Sequence, residues 1–480
     1  MLLLLFAFLL NFQGDSLSIS AEDRFVQKID SLQKSSILEN GTLGVSIRNC
    51  KTGNQLIGFN EKKALRPAST LKLVTTATAL ALLGENFRYS THLETRGIIR
   101  NDTLFGNIII RGSGDPTLGS WRFDETLDYS RLFVDWATKI NQLKIKVITG
   151  DIIANAEAFS DNNVPETWQW GDMGNYYGAA GFGININENL FRAHFATGKI
   201  SNEKTNLFKI EPSIQDTDII NSVVADKETH FDDVLFFSAP ISNLILAKGK
   251  LPLNRADFIV KGSIPNPPDL TTHLLKNALG KMNIIVLNKE KVEENSPSQI
   301  VDIVKSPSLF EMSLYCNYES INLYAECLLK TIPATESKKA NTENGIEILR
   351  KYWEDKSLNL KGLYMKDGSG LSTSNTITAN LMTEILAKAP GLPFFNAFHQ
   401  SIPVLGRDGT VKNIAKNKIW AKNFSVKSGT IEKAKAFAGY FKNKNGDLFS
   451  FAIMANQFEG SESGMSRELA KLFEAMYELK

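Results

Sequence analysis

The sequence has little cysteine and little histidine. Its 480 residues include three cysteines, which cannot form a disulfide framework, although Cys316 and Cys327 could pair. The five histidines are scattered singly, and no HExxH or CxxC motif is present. A zinc site and a Ser-His-Asp triad therefore have little support, and we predict neither a bound metal nor a cofactor.

An excess of charge of either sign is also absent. The chain has 54 Lys and Arg against 52 Asp and Glu, which gives a net charge of +2. Nothing therefore indicates binding to nucleic acid or to an acidic membrane surface. With 43% hydrophobic and 22% charged residues, the composition is that of an ordinary globular protein, long enough for two or three domains.

Long apolar runs are missing except at the N-terminus, from Leu2 to Phe12. This run is too short to span a bilayer, which takes about 20 apolar residues, but it suits the apolar region of a signal peptide. We predict a signal peptide over residues 1–20, cleaved near Ala21, and an exported protein whose mature form has no transmembrane segment. No Lys or Arg precedes the run, which is atypical, and a buried first helix is the alternative.

The secondary-structure pattern divides the chain into three parts. A helix and two strands begin the chain, and two strands and a helix end it. This pattern predicts one sheet built from both chain ends, with helices packed on it, and hence an α+β fold. Residues 21–88 and 295–480 would form this domain, and the β-rich residues 89–294 would be inserted as two further domains.

A serine and a lysine three residues apart open the most apolar helical segment, "RPASTLKLVTTATALALLG". The pattern Ser-x-x-Lys occurs at Ser31/Lys34, Ser69/Lys72 and Ser201/Lys204. Only the second pair follows a Pro-containing turn and opens a nearly uncharged run, so Lys72 is expected to be buried beside Ser69. Burial lowers the pKa of a lysine, which can then take the proton of a serine hydroxyl. Alternatively, Ser69 caps the helix and Lys72 extends to solvent.

Two later motifs offer partners for this pair. In "YESINLY", Ser320 and Asn322 supply a hydroxyl and a carboxamide before a helix. In "SVKSGT", a cation and two hydroxyls on a strand are suited to hold a substrate carboxylate, and a glycine between them allows close approach. The residues of this second motif are Lys427, Ser428, Gly429 and Thr430. Taken singly, the two motifs also fit a helix N-cap and a surface turn.

The order Ser-x-x-Lys, Ser-x-Asn, Lys-Ser-Gly resembles that of the penicillin-recognising serine acyltransferases. Further stretches are similar to the D-alanyl-D-alanine carboxypeptidase/endopeptidase family, the class C low-molecular-mass penicillin-binding proteins. They are "GSGDPTLGS", "WQWGDMGNYYGAAGFGININEN", "SINLYAECLLK", "DGSGLSTSN", "PVLGRDGTVKN" and "KSGTIEKAKAFAGYF". The resemblance runs from about residue 40 to the C-terminus. It implies a β-lactamase/transpeptidase-like domain, an antiparallel sheet flanked by helices, with large β-rich inserted domains.

The resemblance implies a serine-type D-Ala-D-Ala carboxypeptidase acting on peptidoglycan stem peptides in the periplasm, free or peripheral to the membrane or cell wall. Ser69 would attack the carbonyl of the penultimate D-Ala, with Lys72 as the base. Ser320 would pass a proton to the leaving amine while Lys427 keeps the local field positive. β-Lactam antibiotics would acylate Ser69 in the same way.

By the same resemblance, Asn322 would hold a backbone carbonyl of the peptide. Lys427, Ser428 and Thr430 would grip its terminal carboxylate, and the backbone N–H groups of Ser69 and Thr430 would form an oxyanion hole, with Gly429 between the hydroxyls. Nucleic acid is not an expected partner. Two departures from the family pattern, Ile321 for an acidic residue and Ser428 for threonine, remove no group that the chemistry needs.

A weaker expectation concerns Asp161, in "AFSDNNVPETWQW". It falls where the family places an acid that meets the ammonium of the stem peptide's diamino acid, although Asp-Asn-Asn before Pro is equally a turn. Trp168 and Tyr177 could wall the same pocket or belong to the core.

Three functional alternatives stay open from the sequence. Endopeptidase activity on cross-links would use the same groups as carboxypeptidase activity. A β-lactamase or esterase on the same fold would need a dedicated deacylating base, which the sequence does not reveal. A non-catalytic binder of peptidoglycan or β-lactams would have no reason to keep Ser69, Lys72 and their predicted partners.

Overall fold

A computed structural model describes residues 20–289 and 296–480. The predicted signal peptide therefore lies outside the described residues, apart from Ser20. Among the residues described, no helix combines the length and apolar character needed to cross a membrane.

The first part of the chain forms two helices and three strands. Ser20 caps the first helix by accepting a hydrogen bond from the Asp23 N–H. The elements are α1 (Ala21–Gln33), β1 (Thr42–Asn49), β2 (Gln55–Phe59), β3 (Ala64–Leu65) and α2 (Lys72–Leu83), with a short 3-10 turn (Ala68–Leu71) directly before α2.

The middle part is rich in strands, as the sequence predicts. Its strands are β4 (Ser90–Arg100), β5 (Thr103–Arg111), β6 (Val147–Ile148), β7 (Ile152–Asn155), β8 (Leu190–Thr197), β9 (Asn206–Glu211), β10 (Asp218–Asp226), β11 (Asp233–Phe237), β12 (Leu244–Pro252), β13 (Arg255–Ser263), β14 (Ile285–Val286) and β15 (Ser298–Lys305). Its helices are α3 (Tyr129–Gln142), α4 (Trp170–Met173) and α5 (Pro267–Lys281).

The last part returns to helices and ends in three long strands and a helix. The elements are α6 (Leu309–Tyr318), α7 (Asn322–Thr331), α8 (Thr342–Glu354), β16 (Ile377–Thr378), α9 (Ala379–Lys388), α10 (Phe395–Gln400), β17 (Phe424–Ile431), β18 (Ala434–Lys442), β19 (Leu448–Asn456) and α11 (Glu462–Tyr477).

The two chain ends combine in one antiparallel sheet of order β17-β18-β19-β1-β2. Strand β18 shows why both faces are covered: Phe437 and Phe441 pack into the core beneath α1 and α11, whereas Ala436, Ala438 and Tyr440 face a second core beneath α2 and α9. This alternation follows from the two-residue period of a strand. The α+β fold predicted from the sequence, with a sheet flanked by helices, is confirmed.

The middle part forms three sheets outside this domain. A six-stranded sheet has the order β14-β6-β5-β4-β15 with β7 beside β5, and two three-stranded sheets have the orders β10-β12-β11 and β13-β8-β9. Strand β15 comes after residue 294, so the predicted boundary falls before the last strand that pairs with this part of the chain. The division of the chain into domains stays a prediction.

Candidate active site

Ser69 lies in the 3-10 turn that leads into α2 and caps neither helix. In a 3-10 turn, side chains three residues apart eclipse one another, which aligns Lys72 with Ser69 more closely than an α-helix would. The Lys72 Nζ lies 2.9 Å from the Ser69 Oγ. Lys72 is fully buried, so the alternative in which it extends to solvent is wrong.

Lys72 has no carboxylate partner within hydrogen-bonding reach in the described part of the chain. Besides Ser69, its Nζ contacts the Asn322 Oδ1 at 2.5 Å and the Ser369 carbonyl oxygen at 2.8 Å. Burial lowers the pKa of Lys72 to about 8, against smaller opposing effects of nearby acidic groups. A neutral amine can donate to the two carbonyl oxygens and accept the Ser69 proton, which is what a base requires.

A second buried lysine, Lys427 of β17, lies beside the second predicted serine. Its Nζ donates to the Ser320 Oγ at 2.9 Å and to the Ser428 carbonyl oxygen at 2.8 Å. Burial holds the pKa of Lys427 well below its usual range, and the charge of Lys72 lowers it further. Ser320 has a left-handed backbone with φ of 59°, a conformation that non-glycine residues adopt rarely and often at functional sites.

Asn322 begins α7 and connects the cleft to the inserted part of the chain. Its Oδ1 accepts from Lys72, and its Nδ2 donates to the Tyr177 carbonyl oxygen at 2.6 Å. The second N–H of Nδ2 is the group that can hold a substrate carbonyl.

Gly429 is required because β17 passes very close to the Ser69 turn. A Cβ at this position would lie 2.6 Å from the Pro67 carbonyl oxygen and 2.9 Å from the Ser69 backbone nitrogen. The neighbouring hydroxyls are both hydrogen-bonded, Ser428 to Thr410 at 2.8 Å and Thr430 to the Lys435 Nζ at 2.7 Å.

These groups border a cleft of about 470 Å³. Of the predicted residues, Ser69, Ser320, Asn322 and Thr430 line it, and so does Tyr177. Three carboxylates that sequence reasoning missed also line the cleft, those of Asp172, Glu319 and Glu432. The pKa of Asp172 is raised, mainly by burial.

The structure does not bring Asp161 to this cleft. Its Oδ2 accepts from the Thr342 N–H at 2.9 Å and from the Thr342 hydroxyl at 2.8 Å, at the start of α8. Its Oδ1 lies 3.0 Å from the Nζ of the buried Lys330. These contacts hold Asp161 at the start of α8, and the acid that lines the cleft is Asp172, further along the chain in α4. Trp168 is buried and donates to the Asp367 carboxylate at 2.9 Å.

Sequence reasoning also assigned no role to the loop "DGSG", residues 367–370, which supports the site from behind. Gly370 has a φ of 84°, and a Cβ there would lie 2.0 Å from the Ala68 carbonyl oxygen. The buried carboxylate of Glu326 accepts from the Gly368 and Ser369 N–H groups at 3.1 and 2.8 Å. This loop presents the Ser369 carbonyl oxygen to Lys72, and the sequence signal for it was the repeated glycine after an acid.

Comparisons with known proteins show the family of the chain. The model of the D-Ala-D-Ala carboxypeptidase 3 (S13) family matches residues 25–476. A D-alanyl-D-alanine carboxypeptidase of Actinomadura sp. (strain R39) is 24% identical over 450 residues, 90% of this chain and 81% of that protein. The D-alanyl-D-alanine carboxypeptidase DacB of Haemophilus influenzae is 23% identical over 427 residues, 88% and 86% of the two chains.

The fold is also similar to that of solved structures. The crystal structure of penicillin binding protein 4 (dacB) from Haemophilus influenzae matches with a TM-score of 0.76 at 20% identity, covering 95% of this chain and 99% of that one. A structure of the same protein complexed with a β-lactam matches with a TM-score of 0.74 at 20% identity, covering 95% and 98% of the two chains.

Proposed function

Because the chain belongs to the D-Ala-D-Ala carboxypeptidase 3 (S13) family, as the order of its motifs predicts, we propose that it cleaves peptidoglycan stem peptides through an acyl-enzyme on Ser69. The observation that carries this proposal is the pair of Ser69 and Lys72. Its atoms lie 2.9 Å apart, and the lysine is fully buried among neutral partners. A lysine with a pKa of about 8 is partly neutral near pH 7 and can act as a general base.

In the acylation step, Lys72 takes the hydroxyl proton while the Ser69 Oγ attacks the carbonyl carbon of the penultimate D-Ala. The C–N bond to the terminal D-Ala then breaks, and its nitrogen receives a proton through the Ser320 hydroxyl. Lys427, 2.9 Å from that hydroxyl, favours the transfer by its positive charge. Water then hydrolyses the ester and restores Ser69.

The oxyanion that forms during attack would be held by the backbone N–H groups of Ser69 and Thr430. The close packing at Gly429 supports this assignment, because it keeps β17 against the Ser69 turn. The terminal carboxylate of the peptide would lie along β17, where Lys427 and the hydroxyls of Ser428 and Thr430 are available. Asn322 would donate its remaining N–H to a backbone carbonyl of the peptide.

Asp172 is the better candidate for the acid that meets the ammonium of the stem peptide's diamino acid. It lines the cleft, whereas the carboxylate of Asp161 is engaged by Lys330 and Thr342. Tyr177 also lines the cleft and would form its wall. We retain Asp161 as a residue that stabilises this region of the fold.

Penicillins and related β-lactams would acylate Ser69 as analogues of the same peptide, and the β-lactam complex of the Haemophilus influenzae protein supports this extension. The predicted export to the periplasm fits a substrate in the cell wall. Whether carboxypeptidase or endopeptidase activity dominates depends on which peptide enters the cleft, because both reactions use these groups.

Intact-mass spectrometry after incubation with benzylpenicillin tests the proposal. We expect one penicillin mass on the unmodified protein and none on Ser69→Ala. No adduct and no penicillin hydrolysis would overturn the acyl-enzyme and favour a non-catalytic binder. No adduct with rapid hydrolysis would indicate a β-lactamase.

A further inference from the structure

Lys435 lies directly opposite Thr430 in the pairing of β17 with β18. Residues that face each other in an antiparallel pair project from the same side of the sheet, so these two side chains are neighbours. The Lys435 Nζ donates to the Thr430 Oγ1 at 2.7 Å. Lys435 is only 8% exposed and does not itself line the cleft, whereas Thr430 does.

No carboxylate forms an ion pair with Lys435 within residues 20–289 and 296–480. The acid that acts on it most strongly, Glu462 at the start of α11, accepts instead from the Lys433 N–H at 3.3 Å. The remaining neighbour is the Phe437 ring, whose centroid is 5.1 Å from the Nζ. A buried cation without a counter-ion is costly, and burial lowers the pKa of Lys435 to about 8.

We propose that Lys435 is a positioning residue that makes the enzyme specific for a free C-terminal carboxylate, acting through the hydroxyl of Thr430. This inference rests on the proposed function, in which Thr430 contacts that carboxylate. Because the Thr430 oxygen accepts from Lys435, its own hydrogen is directed away from the lysine and is free to donate to the substrate. The bound carboxylate then supplies the counter-charge that the fold does not.

The contribution of Lys435 to carboxylate binding is separate from that of Lys427. The Lys427 Nζ already donates to Ser320 and to the Ser428 carbonyl oxygen, so its contacts serve the proton-transfer step as well as binding. In the described part of the chain the Lys435 side chain makes one hydrogen bond, and its acceptor is the hydroxyl that faces the cleft. In a chain of ammonium, hydroxyl and carboxylate, each hydrogen bond polarises the next and so strengthens it.

Acylation by benzylpenicillin and by its methyl ester measures this specificity, because the ester lacks the carboxylate. In the unmodified enzyme the carboxylate form should acylate Ser69 faster. In Lys435→Met we expect the second-order rate constant for the carboxylate form to fall about tenfold. The rate constant for the ester should not change, so the ratio of the two falls by the same factor. With a peptide ending in D-Ala-D-Ala, the same variant should raise KM about tenfold and leave kcat nearly unchanged.

Lys433→Met is the matched control. Lys433 lies two residues away, loses the same charge on substitution, and donates to the Gly460 carbonyl oxygen at 3.0 Å instead of to Thr430. In Lys433→Met the ratio of the rate constants for benzylpenicillin and its methyl ester should equal that of the unmodified enzyme. If Lys435→Met slows the acid and the ester equally, the residue is merely structural and the proposal is overturned.

Lys435→Gln keeps the test decisive if the methionine variant does not fold. Glutamine can still donate to Thr430 but carries no charge. A reduced ratio of the two rate constants supports the proposal that the Lys435 charge favours the substrate carboxylate, and an unchanged ratio overturns it. Failure of the proposed function can be distinguished from failure of the Lys435 proposal, because in the first case the unmodified enzyme would form no adduct with either compound.

Discussion

Four lysines are buried in the described residues, and they fall into two regions with different partners. Lys330 of α7 is buried against the inserted part of the chain, and its Nζ lies 3.0 Å from the Asp161 carboxylate. Lys72, Lys427 and Lys435 lie around the cleft and have only hydroxyl, amide and carbonyl oxygens as hydrogen-bond partners. The charge of a buried cation with its own carboxylate is compensated within the fold, whereas a buried cation without one keeps its charge, or its proton, available to a substrate.

The comparison extends to what surrounds each lysine. Lys330 also donates to the carbonyl oxygens of Asn162, Asn163 and Gly181 at 3.2–3.4 Å, so it ties α7 to two stretches of the inserted part. At the cleft, burial lowers the pKa values of all three lysines, with those of Lys72 and Lys435 at about 8. Buried lysines in the two regions should therefore respond differently to substitution.

The largest effect is expected for Lys72→Met. Loss of the base should slow acylation of Ser69 by benzylpenicillin about 1,000-fold while the protein remains folded. The matched control is Lys34→Met, which removes the lysine of another Ser-x-x-Lys motif. The Lys34 side chain is 74% exposed and contacts Asp30 in α1, so this variant should acylate at the normal rate. If Lys72→Met is acylated by benzylpenicillin at the normal rate, Lys72 is not the base.

The next effect is on stability, and it should be largest in the region of Lys330. Lys330→Met leaves the Asp161 carboxylate and three carbonyl oxygens without their cation, and the free energy of unfolding should fall by about 3 kcal/mol. Asp161→Asn should cost at least as much, because it leaves the fully buried Lys330 cation without its carboxylate, whereas the carboxylate left by Lys330→Met is 22% exposed and partly solvated. Urea unfolding measures both.

The folded fraction of each of these variants should still acylate with benzylpenicillin at the normal rate. If Lys330→Met instead slowed acylation without loss of stability, the division between the two regions would not hold.

A smaller, pH-dependent effect follows from the lowered pKa of Lys72. Only the neutral amine can accept the Ser69 proton, so the acylation rate should rise about tenfold per pH unit below a pH of about 8 and level off above it. Penicillin methyl ester is the suitable probe, because the proposed role of Lys435 does not affect it. A rate that falls with rising pH over this range would contradict Lys72 as the base.

The smallest effect is expected for Glu326→Gln. The Glu326 charge raises the pKa of Lys72, so its removal should move the rising limb of the pH profile to lower pH. Glutamine can also accept only through one oxygen, which weakens the hold on the Gly368 and Ser369 N–H groups and should lower the melting temperature slightly. If the rising part of the plot of acylation rate against pH moved to higher pH instead, Glu326 would not act on Lys72 electrostatically.

Much of the site could be predicted because each motif is short and local. The spacing of Ser69 and Lys72 predicted that they are neighbours, since residues three apart lie on one face of a helix, and the apolar run after them distinguished this pair from Ser31 and Lys34. The order of helices and strands at the two chain ends predicted the sheet, and the motif order predicted the family. Asp172 could not be chosen over Asp161 in this way, because no local pattern shows which acid faces the cleft, and only the packing of α4 and α8 distinguishes them.

The sequence by itself determined the chemistry available: a nucleophile, its adjacent base, a second hydroxyl and a strand with a cation and a glycine. Tertiary structure alone decided which charges remain unpaired. The partner of Lys330, Asp161, lies 169 positions away, whereas Lys435 reaches Thr430 across a hairpin of five positions, and neither local pattern shows whether a carboxylate packs against the lysine. Whether a lysine meets a carboxylate or only a hydroxyl depends on which distant segments pack against it, and it is the desolvation in that packing that lowers the pKa.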